Sequence, residues 1–330
     1  MKTVPAPELA ALEADVRAAS GFVDALLAEV GRVVVGQTSL LNRLLTGLLT
    51  GGHVLLEGPP GVAKTLTVRT FAESLGCSFH RIQFTPDLLP ADVVGTMIFH
   101  PRDGEFRVHH GPIFANVVLA DEINRAPAKV QSALLEAMQE RRVTIGRETH
   151  VLAEPFLVLA TQNPLEHEGT YPLPEAQLDR FALQVLVPYP TPEDELQILA
   201  RHLGETPAPP RPVATAEDVV RAREVVSRVF LDPRLQAYVV GLVRATREVW
   251  PGQSVSPIRF GASPRATVHV ALAARAQAFL AHRAYVLPED IKLVAPDALR
   301  HRLMLTYEAE AEGVSPSSLI DELLRRVPVP

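Results

Sequence analysis

The residues best suited to chemistry begin in a short turn between two apolar segments. The turn reads Gly58-Pro59-Pro60-Gly61-Val62-Ala63-Lys64-Thr65 and separates the apolar run 54–56 from a helical pattern over 65–75. It follows the phosphate-binding pattern G-x-x-x-x-G-K-[ST], with alanine in place of the second glycine. In that pattern backbone N–H groups wrap phosphates, Lys64 would contact the β- and γ-phosphates, and Thr65 would bind Mg²⁺. The turn predicts an ATP site with Mg²⁺, although a strand, turn and helix with an incidental lysine would leave the same pattern.

Two adjacent carboxylates, Asp121 and Glu122, follow a second apolar run at 117–120. Carboxylates at the C-terminal end of a parallel strand face the crevice in which ligands bind. Asp121 would suit a contact to Mg²⁺ through water, and Glu122 would suit polarising an attacking water. The alternative is a solvated helix N-terminus, where acidic residues are favoured, and it explains one carboxylate better than two.

A third apolar run, 156–161, ends in Gln162-Asn163-Pro164. Asn163 would be placed to orient the same water or to contact the γ-phosphate. Asparagine before proline is also a common turn, and for this segment alone the turn is the simpler explanation.

The elements that must position these residues alternate along the first part of the chain. Apolar runs predict strands, helical patterns lie between several of them, and this alternation favours a mainly parallel sheet covered on both faces. Two further segments, 97–108 with Asp103-Gly104 and 142–152 with Gly146, predict hairpins. The predicted strands are 54–56, 79–84, 117–120, 156–161 and 183–187, and the predicted helices are 8–30, 38–49, 65–75, 127–140 and 175–181.

The proline-rich segment 188–192 marks a predicted domain boundary. Strand signals stop after it, which predicts a nucleotide-binding α/β domain at 1–190 and a helical domain at 191–330. Proline or aspartate at helix starts supports several of the later helices. These helices are predicted at 193–203, 216–229, 232–248, 264–283 and 288–302.

Composition narrows the functional classes. The 330 residues carry a net charge of −6, which disfavours a general attraction to nucleic acid or to anionic membranes. The single cysteine, Cys77, excludes an internal disulfide framework, and the absence of a long apolar run predicts no membrane span. We therefore expect a cytoplasmic protein.

Taken together, the segments resemble the MoxR family of AAA+ ATPases over about residues 20–310. Alanine at the second-glycine position is usual in that family, so Ala63 weakens the general motif but strengthens this resemblance. The segments that carry it are 57–65, Leu119-Ala120-Asp121-Glu122-Ile123-Asn124-Arg125-Ala126, Ala160-Thr161-Gln162-Asn163-Pro164 and 168–181, which reads EGTYPLPEAQLDRF.

The resemblance implies roles for the residues of the site. Gly36 and Gln37 would lie near the adenine. Thr65 and Asp121 would hold Mg²⁺, and Asp121 with Glu122 would form the Walker B pair. The nucleotide-binding loop would comprise Gly58, Pro59, Pro60, Gly61, Val62, Ala63, Lys64, Thr65 and Leu66.

Three more residues would complete the catalytic set. Asn163 would be sensor 1, Arg180 the arginine finger that reaches the ATP of the neighbouring subunit, and Arg265 sensor 2 on a helical lid. A lone surface arginine usually does no more than pair with nearby charges, which is the alternative for Arg180. Arg265 follows Pro264 at a helix start, where the dipole disfavours a cation, and a bound phosphate would remove that conflict.

The implied fold is an α/β AAA+ P-loop core with a five-stranded parallel sheet, two β-hairpin inserts and an all-α lid domain. The strand before the phosphate loop would be central in the sheet. The hairpins would line the pore of a ring or face a partner, although Phe99 and Phe106 could instead pack against the sheet.

The implied function is ATP hydrolysis that drives chaperone-like remodelling or maturation of a protein complex. The protein would act as a homo-oligomeric ring, a hexamer by resemblance, with a von Willebrand factor A domain protein as partner and a protein as client. A metal-chelatase-like motor subunit and a DNA-acting AAA+ motor are the alternatives. Net charge −6 counts against the DNA motor, whereas the sequence of one chain does not separate the chelatase from the chaperone.

Overall fold

The structure, a computed structural model, describes residues 6–102, 104–162, 170–204, 208–249 and 256–330. Its α-helices are α1 Ala6–Val33, α2 Thr38–Thr50, α3 Lys64–Ser74, α4 Pro90–Val94, α5 Ala128–Glu140, α6 Glu175–Leu178, α7 Pro192–Leu203, α8 Ala216–Arg228, α9 Pro233–Ala245, α10 Pro264–Leu280, α11 Pro288–Leu299, α12 Tyr307–Ala311 and α13 Pro316–Arg326. Its strands are β1 Val54–Glu57, β2 Phe79–Gln83, β3 Gly95–His100, β4 Glu105–His110, β5 Val117–Asp121, β6 Arg142–Ile145, β7 Glu148–Val151, β8 Leu157–Gln162, β9 Leu183–Leu186, β10 Ile258–Phe260 and β11 Met304–Leu305.

A five-stranded sheet in the order β2-β5-β8-β1-β9 forms the centre of the α/β part, as predicted. The pairs β2–β5, β5–β8 and β1–β8 are parallel. Residues 117–120 and 157–160 are fully buried, which explains why these strands have continuous apolar runs rather than alternating ones. The strand before the phosphate loop, β1, is an interior strand, but β8 holds the middle position. The expectation of a central β1 is therefore wrong.

Both predicted hairpins are present as antiparallel pairs, β3–β4 and β6–β7. Gly104 and Gly146 have φ of +68° and +64° in the two turns, a conformation that favours glycine. Phe99 and Phe106 lie opposite each other in register with ring centroids 5.2 Å apart. Their exposed fractions are 49% and 63%, so they pack on each other and not against the sheet.

Helix starts in the second half of the chain follow local sequence signals. The Thr191 hydroxyl accepts the N–H of Asp194 at 3.2 Å, and Pro192 occupies the first turn of α7. Asp232 caps α9 and Ser263 caps α10 in the same way, each with proline at the next position. These side chains satisfy N–H groups that have no acceptor within the helix, which is why the predicted starts are close to the observed ones.

The described residues cluster into two compact units. Unit 1 comprises Met1–Gly21, Phe181–Gln184 and Arg221–Pro330, and unit 2 comprises Phe22–Arg180 and Val185–Val220. Unit 1 is mainly helical, but it also contains the short antiparallel pair β10–β11, so strands do not stop at the proline-rich segment. A functional division into 1–190 and 191–330 stays a prediction. Within the described ranges, no helix is both long enough and apolar enough to cross a membrane.

Candidate nucleotide-binding site

The phosphate loop connects the buried strand β1 to the first turn of α3. Gly61 has φ of +83°, and Ala63, directly before α3, has φ of +58° and ψ of +22°. A left-handed backbone conformation costs a residue with a side chain on the order of 1 kcal/mol. Alanine has the smallest side chain, a methyl group, that incurs this cost. A Cβ on Gly58 would collide with the carbonyl of Val187, so the loop passes this point only with glycine.

Lys64 is half-buried, and its Nζ donates to the carbonyl of Gly58 at 2.7 Å. Burial lowers the pKa of Lys64, while the charges of Asp121, Glu122 and Glu57 oppose that shift. Because α3 begins at Lys64, the first N–H groups of the helix have no acceptor inside it. A cation and free N–H groups at one place favour a bound anion.

A cleft of about 340 Å³ lies over this loop in unit 2. It brings the predicted phosphate loop and the predicted acidic pair together in one cavity. The residues that line it are Pro60, Gly61, Ala63, Lys64, Thr65, Leu66, Arg81, Asp121, Glu122, Thr161 and Gln162.

Asp121 ends β5 and is held by side chains from both neighbouring strands. Thr161 on β8 donates its hydroxyl to Oδ1 at 2.6 Å. Arg81 on β2 donates to Oδ2 from Nε at 2.9 Å and from Nη2 at 2.6 Å. The carboxylate is therefore fixed in orientation, with a positive charge beside it on the cleft wall.

Glu122 follows directly and has φ of +58°, an uncommon conformation for a residue with a side chain. Its N–H donates to the Thr161 hydroxyl at 2.8 Å, so one threonine orients both acidic residues. Its Oε2 accepts from Gln83 Nε2 at 2.8 Å and lies 3.1 Å from Arg125 Nε. Two consecutive carboxylates thus diverge, each held by its own cation.

Sequence reasoning missed Arg81, Gln83, Arg125 and Thr161 as parts of the site. Arg81, Gln83 and Thr161 come from the strands beside β5, and their proximity depends on strand register, which places Gln83 opposite Asp121. Arg125 lies three residues after Glu122 in a 3₁₀ turn. One signal was available, because polar residues two positions apart at the end of a strand share a face. Arg81 and Gln83 have that spacing in the strand predicted at 79–84.

The two residues predicted near the adenine lie in a separate cavity of about 190 Å³ in unit 2. Gly36 has φ of +72°, and an added Cβ would approach the Asp194 carboxylate within 2.5–2.9 Å. Gln37 Nε2 lies 3.4 Å from the carbonyl of Val62, which connects this cavity to the phosphate loop. The structure therefore brings Gly36 and Gln37 next to the loop.

Of the remaining predicted residues, Arg180 is not among the described residues that line the cleft. Arg180 follows the short helix α6 and donates its N–H to the carbonyl of Gln177 at 3.2 Å. Arg265 is exposed in the first turn of α10, and its N–H is capped by Ser263. Asn163 lies outside the described residues. The roles of all three stay predictions.

The donor set of the cleft fits a nucleoside triphosphate with Mg²⁺. Lys64 and the N-terminus of α3 would hold phosphate oxygens. The hydroxyl of Thr65 and the carboxylate of Asp121, which supply oxygen atoms, would hold a hard divalent cation. Within the described ranges, the half-buried Lys64 donates its hydrogen bond to a neutral carbonyl, and a phosphate would supply the opposite charge.

Comparisons with known proteins find similarity over most of the chain. Residues 53–183 match the "ATPase family associated with various cellular activities (AAA)", and residues 256–323 match the "AAA lid domain". Chaperone MoxR1 of Mycobacterium tuberculosis is 52% identical over 92% of this chain and 81% of its own length. Protein MoxR of Paracoccus denitrificans is 33% identical over 92% of this chain and 95% of its own length. A crystal structure of a Cytophaga hutchinsonii protein superposes with a TM-score of 0.90 at 49% identity, covering 98% of this chain and 99% of that one.

Proposed function

Because the chain belongs to the MoxR family of AAA+ ATPases, we propose that it hydrolyses ATP to drive chaperone-like remodelling or maturation of a protein complex. The observation that carries the proposal is one cleft in which a half-buried lysine and a helix N-terminus face two fixed carboxylates. The relative that is 52% identical is named a chaperone, which supports the remodelling role.

The residues of the cleft have different roles in phosphoryl transfer. Lys64 and the N–H groups at the start of α3 bind and orient the phosphates. Thr65 and Asp121 would hold Mg²⁺, which would supply positive charge to neutralise the phosphates. Glu122 polarises the attacking water. To do so it must turn an oxygen toward the water, and Gln83 and Arg125 set the direction of its carboxylate.

Three residues are assigned roles around this cleft. Asn163 helps to orient the water as sensor 1, and Arg265 contacts the γ-phosphate as sensor 2. Arg180 acts as the arginine finger on the ATP of a neighbouring copy in a ring, a hexamer by family resemblance. A protein client, a von Willebrand factor A domain partner and a cytoplasmic location complete the proposal.

The test separates nucleotide binding from hydrolysis. Lys64 contacts phosphates before and during the reaction, so Lys64→Ala is expected to lose ATP binding in calorimetry. Glu122 acts on the water, so Glu122→Gln is expected to keep ATP affinity and lose turnover by a factor of about 10² or more.

Exposed residues of the same types provide matched controls, Lys129→Ala and Glu136→Gln, both on α5. Both controls are expected to bind and hydrolyse ATP as the wild type does. Equal loss of affinity in Lys64→Ala and Glu122→Gln would contradict the division of roles, and unchanged turnover in both would contradict the ATPase site.

A further inference from the structure

Three consecutive basic residues follow α11 in unit 1 as a single 3₁₀ turn, Arg300–Arg302. All three side chains reach backbone carbonyls of the segment Phe181–Gln184, which belongs to the same unit. This segment begins directly after Arg180, the proposed arginine finger. We call Arg300, His301 and Arg302 the basic turn.

The carbonyl of Phe181 receives two donors from the basic turn. Arg302 Nη2 donates to it at 2.6 Å, and His301 Nε2 lies 3.1 Å from it. Arg302 Nη1 also donates to the carbonyl of Ala182 at 3.3 Å. A carbonyl oxygen has two lone pairs, so the acceptor capacity of Phe181 is filled.

His301 acts here as a neutral donor. Burial and the charge of Arg302 lower its pKa well below the ordinary value, so the imidazole is uncharged at neutral pH. Its Nε2 must then carry the proton that is donated to Phe181, and its buried Nδ1 has no hydrogen-bond partner within the described part of the chain.

Arg300 fixes the far end of the segment. Its Nη1 donates to the carbonyl of Gln184 at 2.8 Å, and the guanidinium is itself held by Asp297 Oδ1 at 3.2 Å and Ser317 Oγ at 2.9 Å. Four residues of main chain are thus fastened at both ends. Donation to carbonyls fixes the path of the backbone whatever side chains the segment carries.

Filling the space beside Phe181–Gln184 does not by itself require hydrogen-bonding side chains. Only 7% of Arg302 is exposed, and burying a guanidinium costs several kcal/mol unless its donors are used. An apolar residue of similar volume would fill the space at lower cost. The basic turn therefore implies a need for a defined backbone position at 181–184.

The residues before Phe181 do not by themselves fix the backbone position of Arg180. Arg180 is preceded by α6, which has four residues and no buried side chain. A helix of one turn has little stability of its own, because nucleation is unfavourable. The direction of the Arg180 side chain must therefore depend largely on the residues that follow it.

We propose that Arg300, His301 and Arg302 are positioning residues for Arg180. By fastening Phe181–Gln184 to unit 1, they hold the main chain one peptide bond from Arg180, so that its guanidinium is presented in a fixed direction to the ATP of a neighbouring copy. This proposal rests on the proposed role of Arg180 as an arginine finger.

The test is a double-mutant cycle on ATP turnover. Arg180→Ala is expected to lower kcat by a factor on the order of 10³, as removal of a finger does. Arg302→Met keeps the volume and removes the donors, and a misplaced finger is expected to lower kcat by about 10². ATP affinity, measured by calorimetry, is expected to change by less than about twofold in both, because neither Arg180 nor Arg302 is among the described residues that line the cleft.

The double variant Arg180→Ala/Arg302→Met distinguishes positioning from general structural support. If Arg302 acts through Arg180, the double variant is expected to be no slower than Arg180→Ala alone. Arg275→Met is the matched control, because Arg275 is half-buried in unit 1 and, like Arg302, donates to a backbone carbonyl, that of Ser227 at 3.0 Å. It is expected to keep the kcat of the wild type. Arg302→Lys, which restores one charged donor, is expected to recover part of kcat.

Each outcome separates the two proposals. Losses that multiply in the double variant, or a normal kcat in Arg302→Met with a slow Arg180→Ala, would overturn the positioning role and leave the finger intact. A normal kcat in Arg180→Ala would overturn both. If circular dichroism shows that Arg302→Met does not fold, the same cycle is run with Arg300→Met, whose side chain is 13% exposed.

Discussion

Thr161 shows how one hydroxyl can orient two adjacent acidic residues. It accepts the N–H of Glu122 and donates to Asp121, so the two acidic residues share a single support from β8. Arg81 occupies the other oxygen of Asp121 from β2. A divalent cation at Asp121 would compete with that guanidinium for the same carboxylate. In this structure the charge of Asp121 is therefore balanced by Arg81 of the same chain.

His301 leads to a prediction about pH. Burial lowers its pKa well below 6.5, and positive charge on the neighbouring Arg302, His269 and Arg300 acts in the same direction, against the hydrogen bond to the carbonyl of Phe181. Below about pH 6.5 the unfolded chain takes up a proton that the folded chain refuses, so the free energy of unfolding falls as the pH falls, by at most about 1.4 kcal/mol per pH unit for this site. Above about pH 6.5 the site contributes no slope.

Replacing the imidazole isolates this contribution. In urea denaturation between about pH 8 and pH 5.5, His301→Gln is expected to lose less stability on acidification than the wild type. His202→Gln, on the exposed helix α7, serves as the control and is expected to follow the wild type. Parallel curves for all three proteins would show that His301 does not cause the acid sensitivity.

Strands with continuous apolar runs were predictable because burial on both faces leaves a signal in consecutive residues. The strands β1, β5, β8 and β9 lie within one residue of their predicted bounds at both ends. The pair β10–β11 was missed because strands of three and two residues are too short to show a period. Helix α13 was missed although Ser315-Pro316 is a readable start signal, and the Ser315 hydroxyl caps it.

The sequence predicted only those site residues that lie in a strong loop motif or directly after a buried strand. Lys64, Asp121 and Glu122 meet in one cleft as expected. Their supports from β2 and β8 depend on strand order and register, which no local pattern encodes. The basic turn is equally invisible in sequence, because it binds backbone carbonyls about 120 residues away.

The hairpin β3–β4 is expected to bind protein rather than to stabilise the fold. Its aromatic pair, Phe99 and Phe106, is exposed and self-contacting, and exposed aromatics are typical of interaction surfaces. In a Glu122→Gln background, which retains ATP, Phe99→Ser/Phe106→Ser is expected to lose binding of a reduced, unfolded model polypeptide in gel filtration. Basal ATPase of the same double change in the otherwise wild-type protein is expected to stay within about twofold.

Tyr307→Ser is the control for that experiment, because Tyr307 is an aromatic side chain that is 78% exposed on α12, far along the chain from the hairpin. It is expected to bind the polypeptide as the parent does. Undiminished polypeptide binding by the hairpin variant would show that this surface is not where a client is engaged.

The composition of the cleft bears on assembly. Among the described residues that line it, the cations are Lys64 and Arg81, and Arg180 is not included. The proposed finger, Arg180, is therefore expected to act on the cleft of a second copy, as the family resemblance also implies. A site completed by a neighbour makes catalysis a property of the assembled ring and couples hydrolysis to protein concentration.

We therefore expect specific ATPase activity to rise with protein concentration, in step with a shift in light scattering from the 35.9 kDa subunit to a ring of about six copies.

Lys64→Ala lacks a working phosphate loop but keeps its finger, and Arg180→Ala keeps its loop but lacks the finger. Each is expected to be inactive alone, since the finger is worth a factor of about 10³ or more. Mixed, they form interfaces in which an intact loop faces an intact finger, so turnover is expected to return in proportion to those interfaces. A mixture that assembles and stays inactive would show that Arg180 does not act across the subunit boundary, and activity independent of concentration would show that one copy is sufficient.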